Sequence, residues 1–199
     1  MNDNKDFIPE TETHPWPPYI PPEARILILG TFPPQAKRWS MDFYYPNRTN
    51  DFWPMMAHIF YGNRNALYAS DNSTFNLDAI KELLNNYGIA LNDTGRVVRR
   101  LKGNASDKFL EIVEPVKLGE LLEQMPSCHT VATTGEKAAS VIAELTGTEI
   151  LKMGGHTVSQ SGLNIWRMPS TSRAYPMKLE NKADYYRNMF VESGILKEV

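Results

Sequence analysis

The sequence of 199 residues predicts an α/β sandwich with a mainly parallel central sheet. Residues 25–30 form a continuous apolar run that ends in glycine, which is typical of a strand buried on both faces, and residues 129–135 and 162–169 resemble two further strands. Between them lie segments whose apolar residues recur at the spacing of an amphipathic helix. Such alternation favours a parallel sheet, whose ligands bind beyond the carboxyl ends of the strands.

Strand and helix alternate along most of the chain. Helical spacing from Leu77 to Tyr87 stops at Gly88, as expected for a C-terminal glycine. The predicted strands cover residues 25–30, 129–135 and 162–169. The predicted helices cover residues 51–61, 77–87 and 117–124, a segment carrying Ala138, Val141, Ile142 and Leu145, and a last segment carrying Ala183, Tyr186, Met189 and Phe190.

An extended arm precedes the first strand. Residues 1–24 contain six prolines, each of which fixes φ and removes a backbone donor, so this segment should not be helical. The arm is either an exposed proline-rich ligand for a partner or a strap whose Trp16 and Tyr19 pack on the body. The strap is favoured because the arm runs directly into the first strand. We therefore expect an arm of residues 1–24 packed on one domain of residues 25–199.

The composition is that of a folded protein. Hydrophobic residues make up 42% and charged residues 22% of the chain, which disfavours a disordered or collagen-like polypeptide. No apolar run approaches the ~18 residues that cross a bilayer, and the first six residues are too polar for a secretory leader. We expect a soluble, cytoplasmic monomer that binds no membrane.

Cysteine and histidine usage argues against a metal centre. The single cysteine, Cys128, excludes intrachain disulfides and clusters that need several thiolates, and it fits a small buried hydrophobe. His14, His58, His129 and His156 show no metal-binding spacing. We expect neither a metal nor a cofactor. The net charge of −2 means that any contact with phosphates must be local.

The loop after the first strand combines a glycine, prolines, aromatic rings and amides. Gly30 allows close backbone approach, the prolines stiffen the loop, and flat rings beside amides suit a planar heterocycle. Phe52 and Trp53 fit a helix core equally, and for these two residues the core is favoured. Asn50 can cap the following helix and still point into the loop.

A second loop follows the last predicted strand. It contains Pro169, Ser170, Thr171, Ser172 and Arg173. Small hydroxyl residues and prolines make a stiff loop that can approach a phosphate backbone, with Arg173 as a counter-charge. The same residues also fit an ordinary turn.

Together the two loops resemble the uracil-DNA glycosylase superfamily, and within it the branch of hypoxanthine and mismatch-specific DNA glycosylases. The similarity covers nearly the whole chain from about Pro15, although no single motif is specific alone. The matching pieces are Pro17-Pro18, Leu27-Ile28-Leu29-Gly30-Thr31-Phe32-Pro33, Tyr44-Tyr45, Asn50-x-Phe52-Trp53, Asn92-Asp93, Ala105-Ser106-Asp107, Thr134-Gly135-x-Lys137-Ala138 and Pro169-Ser170-Thr171-Ser172.

This resemblance implies a three-layer α/β/α fold and a DNA substrate containing a deaminated base. The base would be flipped into a pocket and released by hydrolysis of the N-glycosidic bond, without a lyase step. The implied base pocket consists of Gly30, Thr31, Phe32, Pro33, Tyr44, Tyr45 and Phe52. The implied DNA-binding loop consists of Pro169, Ser170, Thr171, Ser172 and Arg173.

The catalytic residue is not where many members of the superfamily have it. Those members place an aspartate or asparagine third in the first motif, and here that residue is Phe32. The resemblance to the hypoxanthine branch points instead to Asn50, whose side-chain carbonyl can orient an attacking water. Asp51 and Asp93 are alternatives, although each also fits a capping or solvated carboxylate.

Two further functions compete with a monofunctional glycosylase. One is a protein of the same fold that binds damaged or single-stranded nucleic acid without cleaving it, and the other is a nucleoside hydrolase. Phe32 favours the binder, whereas Asn50 and the second loop favour the enzyme. The basic segment with Arg96, Arg99, Arg100 and Lys102 is either a local phosphate-binding patch or a solvated face.

Overall fold

The computed structural model describes residues 9–102 and 109–198. The strands are β1 (Thr11–Thr13), β2 (Ile26–Gly30), β3 (Ile89–Asp93), β4 (Gly95–Arg100), β5 (Leu110–Pro115), β6 (Thr130–Thr134), β7 (His156–Val158) and β8 (Asn164–Met168). The helices are α1 (Phe52–Tyr61), α2 (Leu77–Tyr87), α3 (Leu118–Glu123), α4 (Glu136–Thr146) and α5 (Leu179–Glu192), with a 3-10 turn at Ala36–Arg38.

The central sheet has five strands in the order β3-β2-β6-β8-β7. The first four strands of this order run parallel, whereas β7 pairs antiparallel with β8. The predicted α/β class is confirmed. The prediction of a mainly parallel sheet holds only in part. The edge strand β7 is antiparallel to β8, which makes the sheet mixed.

Helices cover both faces of this sheet. Alternate side chains of β2 point to opposite faces, and every residue of β2 is therefore buried. Ile26 and Ile28 belong to a core cluster with residues of α1, α2 and α5. Leu27 and Leu29 belong to a second cluster with residues of α3 and α4. The architecture is therefore three layers, α/β/α.

A second sheet was not predicted. It has three antiparallel strands in the order β1-β4-β5. The segment with Arg96, Arg99 and Arg100, for which a phosphate-binding patch and a solvated face were the two interpretations, forms its central strand. Along β5 buried or half-buried residues alternate with exposed ones, so the strand offers no continuous apolar run.

The described part of the arm lies along the body. Its residues 11–13 pair with β4, and the Tyr19 and Leu91 backbones hydrogen-bond to each other. Trp16 and Tyr19 pack against the first core cluster. Residues 1–8 and the motif Ala105-Ser106-Asp107 lie outside the described residues. Among the helices of the described ranges, none has the length and apolar character that crossing a bilayer requires.

Candidate active site

A cleft opens at the carboxyl ends of β2, β3 and β6. β2 lies between β3 and β6, so the strand order reverses at this point of the sheet. Ligands of open α/β sheets usually bind at such a reversal, outside the carboxyl ends of the strands. The cleft volume is about 170 Å³, a size suited to one small planar group. The cleft is lined by Gly30, Thr31, Phe32, Pro33, Pro34, Arg38, Tyr45, Pro46, Asn47, Asn50, Asp93, Thr134, Ser170, Thr171 and Ser172.

The two predicted loops therefore meet in one cleft, although four of the predicted site residues do not line it. Tyr44 and Phe52 are buried behind it, with 1% and 0% exposure. Pro169 is also buried, and its carbonyl accepts a hydrogen bond from the Tyr186 hydroxyl at 3.0 Å. Arg173 lies beside the loop and contacts Asp51.

Tyr45 forms an aromatic wall of the cleft. Its ring stacks on Phe52 with centroids 3.7 Å apart and planes 12° apart, so Phe52 supports the wall from the core. The Tyr45 and Thr134 hydroxyls lie 3.1 Å apart. Tyr45 has a φ of 50°, which is uncommon for a residue other than glycine and costs backbone energy. The surrounding contacts therefore hold this ring in place.

Tyr44 points the other way, into the core beside the arm. Its hydroxyl donates to the Pro17 carbonyl at 3.0 Å and to the Asn92 side-chain oxygen at 3.1 Å. Burial raises the pKa of Tyr44, and the negative charge of Asp93 raises it further. Tyr44 is therefore a buried neutral donor that ties the arm to the body.

Gly30 lets two elements approach closely at the base of the cleft. A Cβ placed there would lie 2.3 Å from Asp93 Oδ1 and 3.2 Å from the Tyr45 hydroxyl. Any larger residue would displace the Asp93 carboxylate. The glycine that ends β2 is thus required by packing at the site.

Asn50 is half-buried at the cleft, immediately before α1. Its side-chain oxygen accepts a hydrogen bond from the Phe52 N–H at 2.9 Å, which identifies that atom as the oxygen. The amide is therefore fixed in orientation. The oxygen has a second lone pair that can accept from a water.

Asp93 lines the cleft and is paired with the arm. Its Oδ2 lies 2.9 Å from His14 Nε2, and the two side chains are 8% and 7% exposed. The His14 imidazole is enclosed by the rings of Trp16, Phe32 and Tyr44, with centroids 5.4 to 5.8 Å away. Asp93 is thus neither a cap nor a solvated carboxylate, and the arm contributes to its position.

Asp51 follows Asn50 in the chain and is buried without lining the cleft. Its Oδ2 lies 2.9 Å from Lys182 Nζ, and its Oδ1 lies 3.0 Å from Arg173 Nε. Its backbone N–H donates to the Thr171 carbonyl at 2.9 Å. Asp51 therefore joins the start of α1 to the second loop and to α5.

Sequence reasoning missed His14 and Lys182. Lys182 is fully buried, although lysine is almost never so unless paired. The available signal was its place in α5, where Leu179, Ala183 and Tyr186 define an apolar face that also includes position 182. A lysine within such a stripe indicates a buried partner.

The basic segment of β4 is neutralised by acidic side chains. Arg96 pairs with Glu114, Arg99 with Glu111 and Arg100 with Glu12. The Arg100 guanidinium also lies 5.5 Å from the Phe32 ring centroid and donates to the Pro33 carbonyl at 2.7 Å. Arg100 thus supports the first loop from behind.

The chemistry of the remaining candidates is limited. Cys128 is buried, and burial raises the pKa of its thiol to about 11, so it is a protonated small hydrophobe as predicted. Within the ranges that the structure describes, no group of three or more histidine, cysteine, aspartate or glutamate side chains could hold a metal ion.

Comparison with known proteins shows a shared fold. No protein-family model and no curated protein matches the chain. Solved structures do match, among them the solution NMR structure of a proposed uracil DNA glycosylase from Methanosarcina acetivorans. The two chains are 21% identical, with a TM-score of 0.61, and the match covers 93% of this chain and 99% of that one. The two proteins therefore have the same overall architecture.

Proposed function

We propose that the protein is a monofunctional DNA glycosylase that hydrolyses the bond between deoxyribose and a deaminated base, hypoxanthine or uracil. One observation carries the proposal. The aromatic first loop, Asn50 and the Ser170–Ser172 loop converge on one cleft at the strand ends. The fold shared with a proposed uracil DNA glycosylase agrees with this assignment. We further propose a cytoplasmic monomer without cofactor, with an arm of residues 1–24 packed on a domain of residues 25–199.

The cleft suits a base extruded from DNA. A base within a duplex is inaccessible, so the enzyme must offset the cost of unstacking with new contacts. Phe32 and Tyr45 supply aromatic surface at the cleft. The exposed Ser172 lies at the rim, where sugar and phosphate of a flipped nucleotide would remain.

The reaction needs positioning and charge stabilisation more than a strong base. Asn50 holds a water against the anomeric carbon. The C1′–N bond breaks, the base leaves with the bonding electrons, and the water oxygen bonds to C1′ as its proton passes to the departing base. The buried carboxylate of Asp93 stabilises the positive charge that develops on the sugar.

A lyase step is not expected. Lysine is absent from the described residues that line the cleft. The buried Lys182 is held by Asp51 and by the Ser172 carbonyl, each at 2.9 Å, and cannot reach a sugar. The product is therefore an intact strand with an abasic site.

Labelled oligonucleotides carrying uracil, hypoxanthine, xanthine or a mismatch test the proposal. We expect free base to be released from the uracil or hypoxanthine strand, which breaks only after alkali or heat. EDTA should leave the rate unchanged. Release of no base, or a covalent adduct trapped by borohydride, would overturn the assignment.

A further inference from the structure

The second loop is held from beneath by four hydrogen bonds, three to its own carbonyl groups and one to the carbonyl of the strand residue that precedes it. The Met168 carbonyl accepts from the Gly135 N–H at 3.1 Å, and the Thr171 carbonyl accepts from the Asp51 N–H at 2.9 Å. Two side chains one turn apart on α5 complete the set. Tyr186 donates to the Pro169 carbonyl at 3.0 Å, and Lys182 donates to the Ser172 carbonyl at 2.9 Å.

The side chains beneath this loop carry an excess of positive charge. Asp51 contributes one negative charge, and its two oxygens contact the cations Lys182 and Arg173. The cluster therefore has a net charge of +1. Lys182 is 0% exposed whereas the Arg173 side chain is 49% exposed, so the excess charge faces solvent on Arg173.

We propose that Lys182 is a positioning residue for DNA binding, which neutralises Asp51 so that Arg173 keeps its charge for a backbone phosphate. This inference rests on the proposed function, since it assigns the phosphate contact of the same site. Asp51 holds the Arg173 Nε at 3.0 Å and so orients the guanidinium beside the loop. Without Lys182, the negative charge of Asp51 would offset the positive charge of Arg173. With Lys182 present, the positive charge of Arg173 is left in excess.

The burial of Lys182 has a physical cost that the rest of the fold does not explain. An uncompensated buried ammonium is strongly unfavourable, and a pair of apolar or neutral side chains often stabilises a protein equally well. An asparagine in place of Asp51 and a methionine in place of Lys182 would fill the same space without charge. The charged pair differs from that alternative in fixing both the position of Arg173 and the orientation of the Ser172 carbonyl.

The test is the salt dependence of binding to a duplex that contains one 2′-fluoro analogue of deoxyuridine, whose fluorine disfavours positive charge on the sugar and so keeps the duplex intact during the measurement. Each phosphate neutralised by the protein contributes about one unit to the slope of log Kobs against log salt. Arg173→Ala and Lys182→Met should each lower the slope by about one unit, because each leaves the cluster with no net charge. The double variant Asp51→Asn/Lys182→Met restores the charge to +1 and should return the slope to that of the unmodified protein. Its affinity at one fixed salt concentration should stay lower, because the charged pair no longer holds Arg173 and the Ser172 carbonyl.

Lys117→Met is the matched control. Lys117 also pairs with a carboxylate, Glu120, at 2.8 Å, but it is exposed and does not line the cleft. This variant lowers the net charge of the protein by one, as Lys182→Met does, and should leave the slope unchanged. An equal loss of slope in both lysine variants would show an effect of total charge and overturn the proposal.

The double variant keeps the test informative if Lys182→Met does not fold. A folded Asp51→Asn/Lys182→Met protein whose slope is lower by one unit would overturn the proposal, since its Arg173 is unpaired. If the proposal holds, adding Arg173→Ala to the double variant should lower its slope by about one unit.

The two proposals fail separately. Base release measures the glycosylase reaction, whereas the salt slope is measured on binding alone. A protein that binds the duplex with the expected set of slopes but releases no base contradicts the proposed function only. Release of base with a slope that does not respond to Lys182→Met contradicts the role of Lys182 only. Failure to bind the duplex contradicts both.

Discussion

Two buried aspartates flank the cleft, and their partners give them different roles. As whole residues, Asp51 and Asp93 are equally buried, each with 7% exposure. Both oxygens of Asp51 contact cations, and Asp51 is absent from the cleft lining. Asp93 contacts His14 through one oxygen and lines the cleft. Burial alone therefore does not distinguish the carboxylate at the cleft from the one in the core, whereas the partners of the two oxygens and the exposure to the cleft do.

The largest expected difference between the two is in stability. Asp51→Ala leaves the fully buried Lys182 ammonium without its carboxylate and should cost about 3–5 kcal/mol of unfolding free energy. Asp93→Ala should cost less, about 1–3 kcal/mol, because His14 can remain uncharged. Urea denaturation of both variants measures this. We call Asp51, which joins α1 to the second loop and α5, the anchor residue, and Asp93, which lines the cleft, the site residue. Equal losses of unfolding free energy in the two variants would remove this distinction.

Asn50 lies next to Asp51 in the chain, but its variant should affect the rate of base release rather than stability. Asn50→Ala should lower the single-turnover rate of base release by roughly two orders of magnitude or more, with little change in DNA affinity. Loss of the hydrogen bond to the Phe52 N–H should cost ~1 kcal/mol, so folding is checked in parallel. A folded variant with the parental rate would move the assignment to Asp93.

Asp93→Asn tests the site side of the comparison. Asparagine can still accept from His14 but carries no charge, so the fold should persist while the rate of base release falls about tenfold, or ~1.4 kcal/mol. Asp51→Asn is the matched variant and should have a smaller effect on the saturated rate. Rapid-quench measurement at saturating enzyme decides. The reverse order would exchange the roles assigned to the two carboxylates.

The smallest expected loss of stability and rate is that of a Tyr186 variant, because Tyr186 supports the second loop beside Asp51 and Lys182. Tyr186→Phe removes the donor to the buried Pro169 carbonyl and should cost about 1 kcal/mol of stability. The rate of base release should change less than tenfold, because Asp51 and Lys182 still hold the loop. Thermal and urea unfolding together with the single-turnover rate check this. A large loss of rate with intact stability would place Tyr186 in the site itself.

Sequence patterns predicted three of the five central strands and the helices because continuous apolar runs and helical spacing are local. The strands β2, β6 and β8 and the helices α1 to α4 lie within the predicted segments or within two residues of them, whereas α5 begins four residues before Ala183, the first residue of its predicted pattern. The strands β1, β3, β4, β5 and β7 were missed. β1 and β7 have three residues each, β4 and β5 are rich in charged residues, and β3 begins directly after the glycine that ends α2, so their pairing partners rather than a local pattern define them.

The site was predicted in part for the same reason. The strand-end rule placed both loops together, since it depends only on where predicted strands stop. It could not tell which of the adjacent rings, Tyr44 or Tyr45, faces the cleft. His14 and Lys182 were missed because their carboxylate partners lie 79 and 131 residues away in the chain.

That last separation has a consequence for synthesis of the protein. Asp51 leaves the ribosome long before Lys182, and the helix that carries Lys182 is the last one of the described chain. Until α5 docks, the second loop lacks two of its four supporting donors and Asp51 has no buried cation. The nascent chain can therefore assemble the sheet while the second loop remains unsupported, and the cleft becomes complete only after residues 179–192 have been made.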